Sequence, residues 1–430
     1  MPIDPKDIEE EQKHFATVVA TFQQYETYSH AVNNRRRKDI YTIPRQDQEL
    51  LGRLGYKNKI SEVDRAITAN AEFLRKIIAD PQIFEQGEID DTGYSTDNET
   101  EFETDDPFIH EHSHDPGHSH AHTHVHGERG HTHSRPTLPA HQARKPTESD
   151  IEKLRSTIKQ FVRDWSEEGK AERDLCYGPI KEALLKHFES VSEDERQKLR
   201  VLVPGAGLCR LAWDVANLGF ACQGNEFSHY MLLSSYFILN RTSQVDEHTI
   251  HPYIHSFSNV WDRPAMLRAV KIPDVNPSAL PPHSNFSLVA GDFEDIYGVE
   301  GDPDEPQSGL WDAILTCFFI DTAKNIVNYL RIIHRKLAPG GVWINLGKER
   351  TYPTVVTNDA NVGPLLWHWE NNTTGDPSVE LDLDEVKALA RMIGFKISNE
   401  KAIDMTYTNN SQSMLGYTYH TAFWTATKVA

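Results

Sequence analysis

The sequence predicts an α/β fold built on a mostly parallel sheet with an antiparallel C-terminal strand. Three observations carry that expectation. Residues 200–227, RVLVPGAGLCRLAWDVANLGFACQGNEF, read as strand, glycine turn, amphipathic helix and second strand. Residues 311–347, WDAILTCFFIDTAKNIVNYLRIIHRKLAPGGVWINLG, read as strand, helix, turn and strand again. In the tail, KISNEKAIDMTY and MLGYTYHTAFWTATKV alternate apolar and polar residues with the period of strands.

Composition sets limits around that sheet. The chain has 430 residues, with 44 Lys plus Arg against 64 Asp plus Glu, a formal net charge of −20. Such acidity argues against holding a nucleic-acid backbone or an anionic membrane by bulk charge. Hydrophobic residues make up 38%, below the roughly 45–50% of an ordinary domain, so part of the chain is expected to stay unpacked. No apolar run reaches the roughly 18 residues of a membrane span. The start, MPIDPKDIEEEQKHF, lacks the apolar stretch of a secretory signal. Cys176, Cys209, Cys222 and Cys317 form no C-x-x-C pair, which argues against a thiolate zinc site or a disulfide framework. A reducing, cytosolic compartment fits, with the nucleus as a second.

Taken in order, residues 1–85 read as an N-terminal helical subdomain with apolar positions at 3–4 spacing, broken at Pro44 and at Asp80-Pro81. The basic run Arg35–Lys38 reads first as a solvated helix end, and otherwise as a phosphate or localisation patch. These helices either cap the sheet or offer a homodimer surface. Residues 86–147 hold an acidic stretch and then ten histidines between His110 and His133. With almost no aliphatic residues the segment cannot offset the entropy of ordering, and a disordered insert is expected. Alternating histidines bind zinc, nickel or copper weakly, but a catalytic metal is usually held by dispersed ligands on rigid elements, so no metal cofactor is expected.

Residues 148–198 read as lid or capping helices. Thr147 to Asp150 offer N-caps, and Ile151, Leu154, Ile158, Phe161, Val162 and Trp165 mark an apolar face. Gln160 and Arg163 lie three apart on a neighbouring face; pattern alone makes that a solvated polar face.

Residues 199–430 carry the chemistry. Gly205-Ala206-Gly207 is a tight turn after the first strand, where backbone can approach a ligand closely. Glu226 ends the second strand, at the roughly 20-residue offset from which a carboxylate reaches ribose hydroxyls. Position 210, where a dinucleotide fingerprint wants a third glycine, is Arg210. A G-x-G turn with an acid in register suits an adenosine nucleoside without pyrophosphate, of which S-adenosylmethionine is the common case. A further strand in NFSLVAGDFEDIY ends in Asp292-Phe293, a carboxylate for the exocyclic amine and a ring for the base. The fold is therefore Rossmann-like, and ligands bind at the carboxyl ends of its parallel strands. That rule gathers Gly205, Glu226, Asp292, Cys317 and Asp321 around one crevice. Asp321 has a competing reading as the N-cap of TAKNIVNYL. His368, within Gly363-Pro364-Leu365-Leu366-Trp367-His368-Trp369, reads equally as a histidine packed among tryptophans.

PGAGLCRLAWDVANLGFACQGNEFS, TCFFIDTAKNIVNYL, LAPGGVWINLG and GPLLWHW together resemble the carnosine N-methyltransferase family, also described by the N2227-like domain. The resemblance covers residues 7–85 and 148–428. Cys209 departs from many methyltransferases, which place a third glycine there, and the acidic, His-rich insert has no counterpart in the family core. The resemblance implies a class I methyltransferase sheet that transfers methyl from S-adenosylmethionine to an imidazole nitrogen of carnosine, giving anserine. It also implies cofactor contacts from Gln160, Arg163, Gly205, Gly207, Glu226, Asp292, Phe293 and Cys317. Asp321 and His368 become the catalytic pair and, with Tyr417 and Tyr419, the substrate contacts. The two tyrosines would share one face of the last strand at i, i+2. Two other readings stay open: a protein-histidine methyltransferase, and a metal-handling protein built around the His tract.

Overall fold

Val201, Leu202 and Val203 are buried at the centre of a seven-stranded sheet in the computed structural model, which describes residues 5–79, 144–281, 284–299, 305, 307–347, 379 and 381–429. The first helices are α1 (Pro5–Asp39), α2 (Arg45–Arg53), α3 (Tyr56–Ile77), α4 (Glu148–Trp165) and α5 (Lys170–His187). The first half of the sheet region then runs β1 (Arg200–Pro204), α6 (Arg210–Asn217), β2 (Ala221–Glu226), α7 (His229–Asn240), β3 (His248–Ile250), α8 (Arg263–Leu267) and β4 (Val270–Ile272). The second half runs β5 (Phe286–Ala290), α9 (Phe293–Tyr297), β6 (Trp311–Cys317), α10 (Ile326–Lys336), β7 (Leu337–Gly347), α11 (Leu383–Ile393), β8 (Phe395–Met405) and β9 (Tyr419–Lys428).

The strand order is β5-β2-β1-β6-β7-β9-β8. The first five strands are parallel to one another, and β9 inserts antiparallel between β7 and β8. This is the class I methyltransferase sheet that the sequence predicts. Because the order reverses between β1 and β6, the helices that leave these strands go to opposite faces and open a crevice at their carboxyl ends. One face buries Ile180 and Leu184 of α5 and Ala212 and Val215 of α6 against Val201, Val203 and Ile344. The other buries Leu330 and Ile333 of α10 and Val386 of α11 against Leu202, Ile314 and Trp343. Both faces are covered, which is why β1 and β6 read as continuous apolar runs.

The N-terminal helices join this same layer structure. Phe73 of α3 meets Phe161 of α4 edge-on at 5.2 Å and Phe237 of α7 at 5.6 Å. The Asn70 amide donates to the His251 carbonyl (2.9 Å) and accepts from the His251 N–H (2.7 Å), a two-way clasp on the chain after β3. An extra break that the periodicity does not show falls at Gly55, whose φ of +69 ends α2 and starts α3.

Two further differences have local causes. The excursion between β2 and β5 contains the hairpin β3–β4, whose strands of three residues are too short to show a period. Helix α10 starts at Ile326 with Asn325 as its cap, the side chain accepting from Val327 N–H at 3.1 Å. Asp321 lies one turn earlier, in a 3-10 turn over Ile320–Thr322, so it is not the cap of that helix. The acidic stretch, the His tract, His368 and its flanking tryptophans lie outside the described residues.

Candidate active site

The turn after β1 has the geometry of a ligand cradle. Gly205 has φ +65, and a Cβ there would lie 2.6 Å from Cδ2 of Phe319. Gly207 has φ +56, and its missing Cβ would come no nearer than 3.8 Å to Nε2 of Gln160. Cys209, two residues on, also takes a left-handed conformation at φ +63 while fully buried. That is the backbone a glycine would adopt freely, and packing of the thiol against the position of Gly224 offsets its strain. The predicted third glycine is therefore replaced in residue type but not in conformation.

Glu226 closes β2 and folds back onto the turn. Its Oε2 accepts from Gly207 N–H at 2.8 Å, and Oε1 accepts from Phe227 N–H (2.9 Å) and Ser228 N–H (2.8 Å). Burial pushes this carboxyl up, and the three N–H donors pull it back down. A carboxylate oxygen has two acceptor sites, so Oε2 keeps one lone pair beyond its bond to Gly207. Asp292 caps α9, accepting from Glu294 N–H at 2.7 Å. The Phe293 ring is buried in the core, 5.2 Å from Phe319 and 5.1 Å from Tyr329.

The end of β6 is a second place of strained backbone. Phe318 follows Cys317 at φ +53, a conformation rare for a bulky residue and typical of sites where structure over-determines the chain. Its N–H still donates to the Leu346 carbonyl (2.8 Å), and its ring meets Tyr407 at 4.9 Å and Tyr419 at 6.5 Å. Contact with the Cys176 thiol, then burial, hold the Cys317 thiol well above its ordinary range. A neutral thiol at the strand end is a packing and hydrogen-bonding group, not a nucleophile. Burial, then Tyr417, Glu172 and Asp321, push the Tyr419 phenol up. The Phe318 ring thus gathers Tyr407 and Tyr419 at the end of β6, with Asp321 three residues further along the chain. Tyr417 stands before β9 and is exposed, whereas Tyr419 is the first residue of the strand, so they do not share a strand face.

Gln160 and Arg163 are both 5% exposed, which overturns the solvated-face reading that pattern alone gives. Gln160 Nε2 donates to Asp164 Oδ2 at 3.0 Å, directly over Gly207. The Arg163 guanidinium is gripped on all sides. Nη1 donates to Tyr177 Oη (2.8 Å) and Asp164 Oδ1 (3.2 Å), Nη2 to Cys176 Sγ (3.3 Å), and Nε pairs with Glu172 Oε1 (3.0 Å). Tyr407 stacks over it at 4.7 Å. Glu172 also accepts from the N–H groups of Thr408 (2.8 Å) and Asn409 (3.3 Å), tying the β8–β9 loop to the lid helices. Asp164, Glu172, Tyr177 and Tyr407 are neighbours that sequence reasoning missed; the i, i+4 spacing of Gln160 and Asp164 was a signal for the first, whereas no spacing rule links Arg163 to Glu172, Tyr177 and Tyr407.

The site's elements have counterparts in known proteins. A family model described as carnosine N-methyltransferase matches residues 140–350 and 356–430. The chain belongs to the carnosine N-methyltransferase family. The mouse protein named carnosine N-methyltransferase is 37% identical over 419 residues, 97% of this chain and 86% of the mouse protein. The Schizosaccharomyces pombe protein of that name is 44% identical over 283 residues, 64% of this chain and 70% of its own length. The Dictyostelium discoideum one is 34% identical over 421 residues, 96% of this chain and 76% of its own length. The protein is an S-adenosylmethionine-dependent N-methyltransferase, and the residues present fit that cofactor. Gly207 leaves backbone open at the turn, Gly205 gives its side-chain space to the Phe319 ring, and carboxylates end β2 and lead into α9, a donor set that suits a ribose diol and an amine.

Proposed function

We propose that this enzyme methylates an imidazole ring nitrogen of carnosine, giving anserine. The observation that carries the reading is the strained end of β6, where the Phe318 ring meets Tyr407 and Tyr419 and Asp321 follows in the adjoining 3-10 turn, a position at which a nucleophile would meet the methyl group. S-adenosylmethionine supplies an electrophilic methyl, so the protein's task is to hold a neutral nucleophile in line. Imidazole has an unperturbed pKa near 6.5, so the neutral form dominates at cytosolic pH. Only one nitrogen of the neutral ring has a free lone pair, and the site must choose the tautomer. The Asp321 carboxylate accepts from the other ring N–H and stabilises the imidazolium charge that grows as the bond forms. His368 is the second candidate for this work. Gln160, Arg163, Gly205, Gly207, Glu226, Asp292, Phe293 and Cys317 are the proposed cofactor contacts, with Phe293 offering backbone while its ring serves the core.

Pure protein incubated with methyl-labelled cofactor and carnosine, homocarnosine, free histidine or a cell lysate tests the reading. Label is expected in carnosine. Label found solely in lysate proteins would replace this reading with protein-histidine methylation. The cofactor contacts have their own check. Glu226→Ala removes an acceptor for the ribose and for three turn N–H groups, so the calorimetric affinity for S-adenosylhomocysteine should fall by ~1–3 kcal/mol. Glu226→Gln, which keeps one acceptor oxygen, should lose less. Unchanged affinity in both would remove Glu226 from the cofactor site.

A further inference from the structure

Helix α4 carries Arg155, Lys159 and Arg163 at i, i+4 and i+8, a basic stripe along one side. Arg163 ends the stripe in the buried network beside the glycine turn. Lys159 lies one turn back, about 6 Å along the axis at 1.5 Å per residue. It is half-buried, and its ammonium makes no hydrogen bond or ion pair among the described residues. Burial holds it below the ordinary lysine range, with Glu152 opposing and Arg155 adding to the effect.

More cations gather there. Arg36, from the basic run at the end of α1, sits 3.9 Å from the centroid of Phe257, and Lys59 of α3 sits 4.8 Å from the same ring. Burial first, then the positive charges of Arg155, Arg36 and Lys159, hold the pKa of the His255 imidazole far below the usual value. His255 is thus neutral, with Tyr25 Oη at 2.8 Å. Arg155 has one exposed carboxylate partner, Glu152. In a chain with a net charge of −20, a half-buried lysine among like charges is unfavourable until an anion joins it. The segment that carries His255 and Phe257 continues to Val260, which bridges to Ser413, and Asn259 accepts from Met414 N–H at 2.9 Å. It therefore connects the cationic cluster to the loop that bears Tyr417.

We infer that Lys159, supported by Arg155 and Arg36, is the subsite for the carboxylate of the histidine-containing substrate. This rests on the proposed function. A dipeptide such as carnosine presents an ammonium, an imidazole and a carboxylate. Asp321 serves the imidazole, and the α4 cations serve the carboxylate. The charge on Lys159 then discriminates dipeptide acids from the same amines without the acid group.

The test compares carnosine with its decarboxylated form, β-alanylhistamine, in the full-length enzyme and in Lys159→Gln and Lys159→Arg. In the unmutated enzyme kcat/KM should favour carnosine by about 10- to 100-fold, the range of one charged hydrogen bond. In Lys159→Gln that ratio should fall towards one through a higher KM for carnosine, with S-adenosylhomocysteine affinity and melting temperature preserved. Lys159→Arg, which keeps the charge, should retain most of the preference. A ratio near one in the unmutated enzyme overturns the subsite alone. So does a Lys159→Gln enzyme that keeps the ratio or loses both substrates equally. Methylation of neither compound overturns the function reading, and the subsite with it.

Discussion

Asp321→Asn is expected to melt like the unmutated protein, bind S-adenosylhomocysteine equally well, and lose roughly 30- to 1000-fold in kcat/KM for carnosine. The structure separates the two roles that sequence left competing for this residue. The cap of α10 is Asn325, so a change at Asp321 removes no cap. Asp321 instead sits in the 3-10 turn just beyond β6, three residues after Phe318, whose ring meets Tyr419. Asparagine keeps the shape and one acceptor oxygen but has no negative charge to meet a developing imidazolium. In a dry pocket that charge-assisted contact is worth roughly 2–4 kcal/mol. Asn325→Ala is the matched control. It should cost about 1 kcal/mol of stability as a lost cap and leave kcat/KM near its starting value. Near-normal turnover of carnosine by Asp321→Asn would leave Asp321 without a part in the reaction.

Local patterns were legible wherever the physics is local. The unit from Arg200 to Glu226 is a contiguous strand, turn, helix and strand, so apolar runs, paired glycines and the closing acid all appear in sequence. The antiparallel tail was readable as strand, but not its burial: β9 lies between β7 and β8 with Thr421 to Ala426 all buried, so both of its faces are covered and the edge strand β8 carries the exposed residues. Register at its edge was not readable either. Alternation runs on through Tyr417, but the ladder with Met405 begins at Tyr419, and a pattern cannot tell where pairing starts. Gln160 and Arg163 show the limit most sharply. Their spacing alone suits a wet helix face, and their burial depends on Asp164, Tyr177, Glu172 and Tyr407 packing around them. Such a network is decided by tertiary packing, so single-sequence reasoning sees polar residues without seeing that they satisfy one another.

That network makes Arg163→Met the most damaging single change expected in the protein. The side chains of Arg163 and Asp164 are 4% and 1% exposed, and that of Glu172 is 10% exposed. Methionine fills much of the arginine stem's volume but leaves two carboxylates buried without their shared cation. Breaking a buried pair from one side typically costs ~3–5 kcal/mol, which for a domain of this size lowers the melting temperature by roughly 10 °C. Arg163→Lys keeps the charge, yet one ammonium cannot span Asp164, Tyr177, Cys176 and Glu172 as the guanidinium fork does, so an intermediate loss is expected. Adding Glu172→Gln to Arg163→Met removes one stranded charge and should restore part of the lost stability, the sign that the cost is electrostatic. The cofactor role has a separate readout. A ligand that binds only the folded state raises its stability in proportion to ln(1 + [L]/Kd). Saturating S-adenosylhomocysteine should therefore raise the melting temperature of the unmutated protein by several degrees and that of Arg163→Met far less. A full ligand-induced shift in a destabilised Arg163→Met would confine Arg163 to holding α4, α5 and the β8–β9 loop together. A variant that melts normally would show that the buried carboxylates do not depend on Arg163 at all.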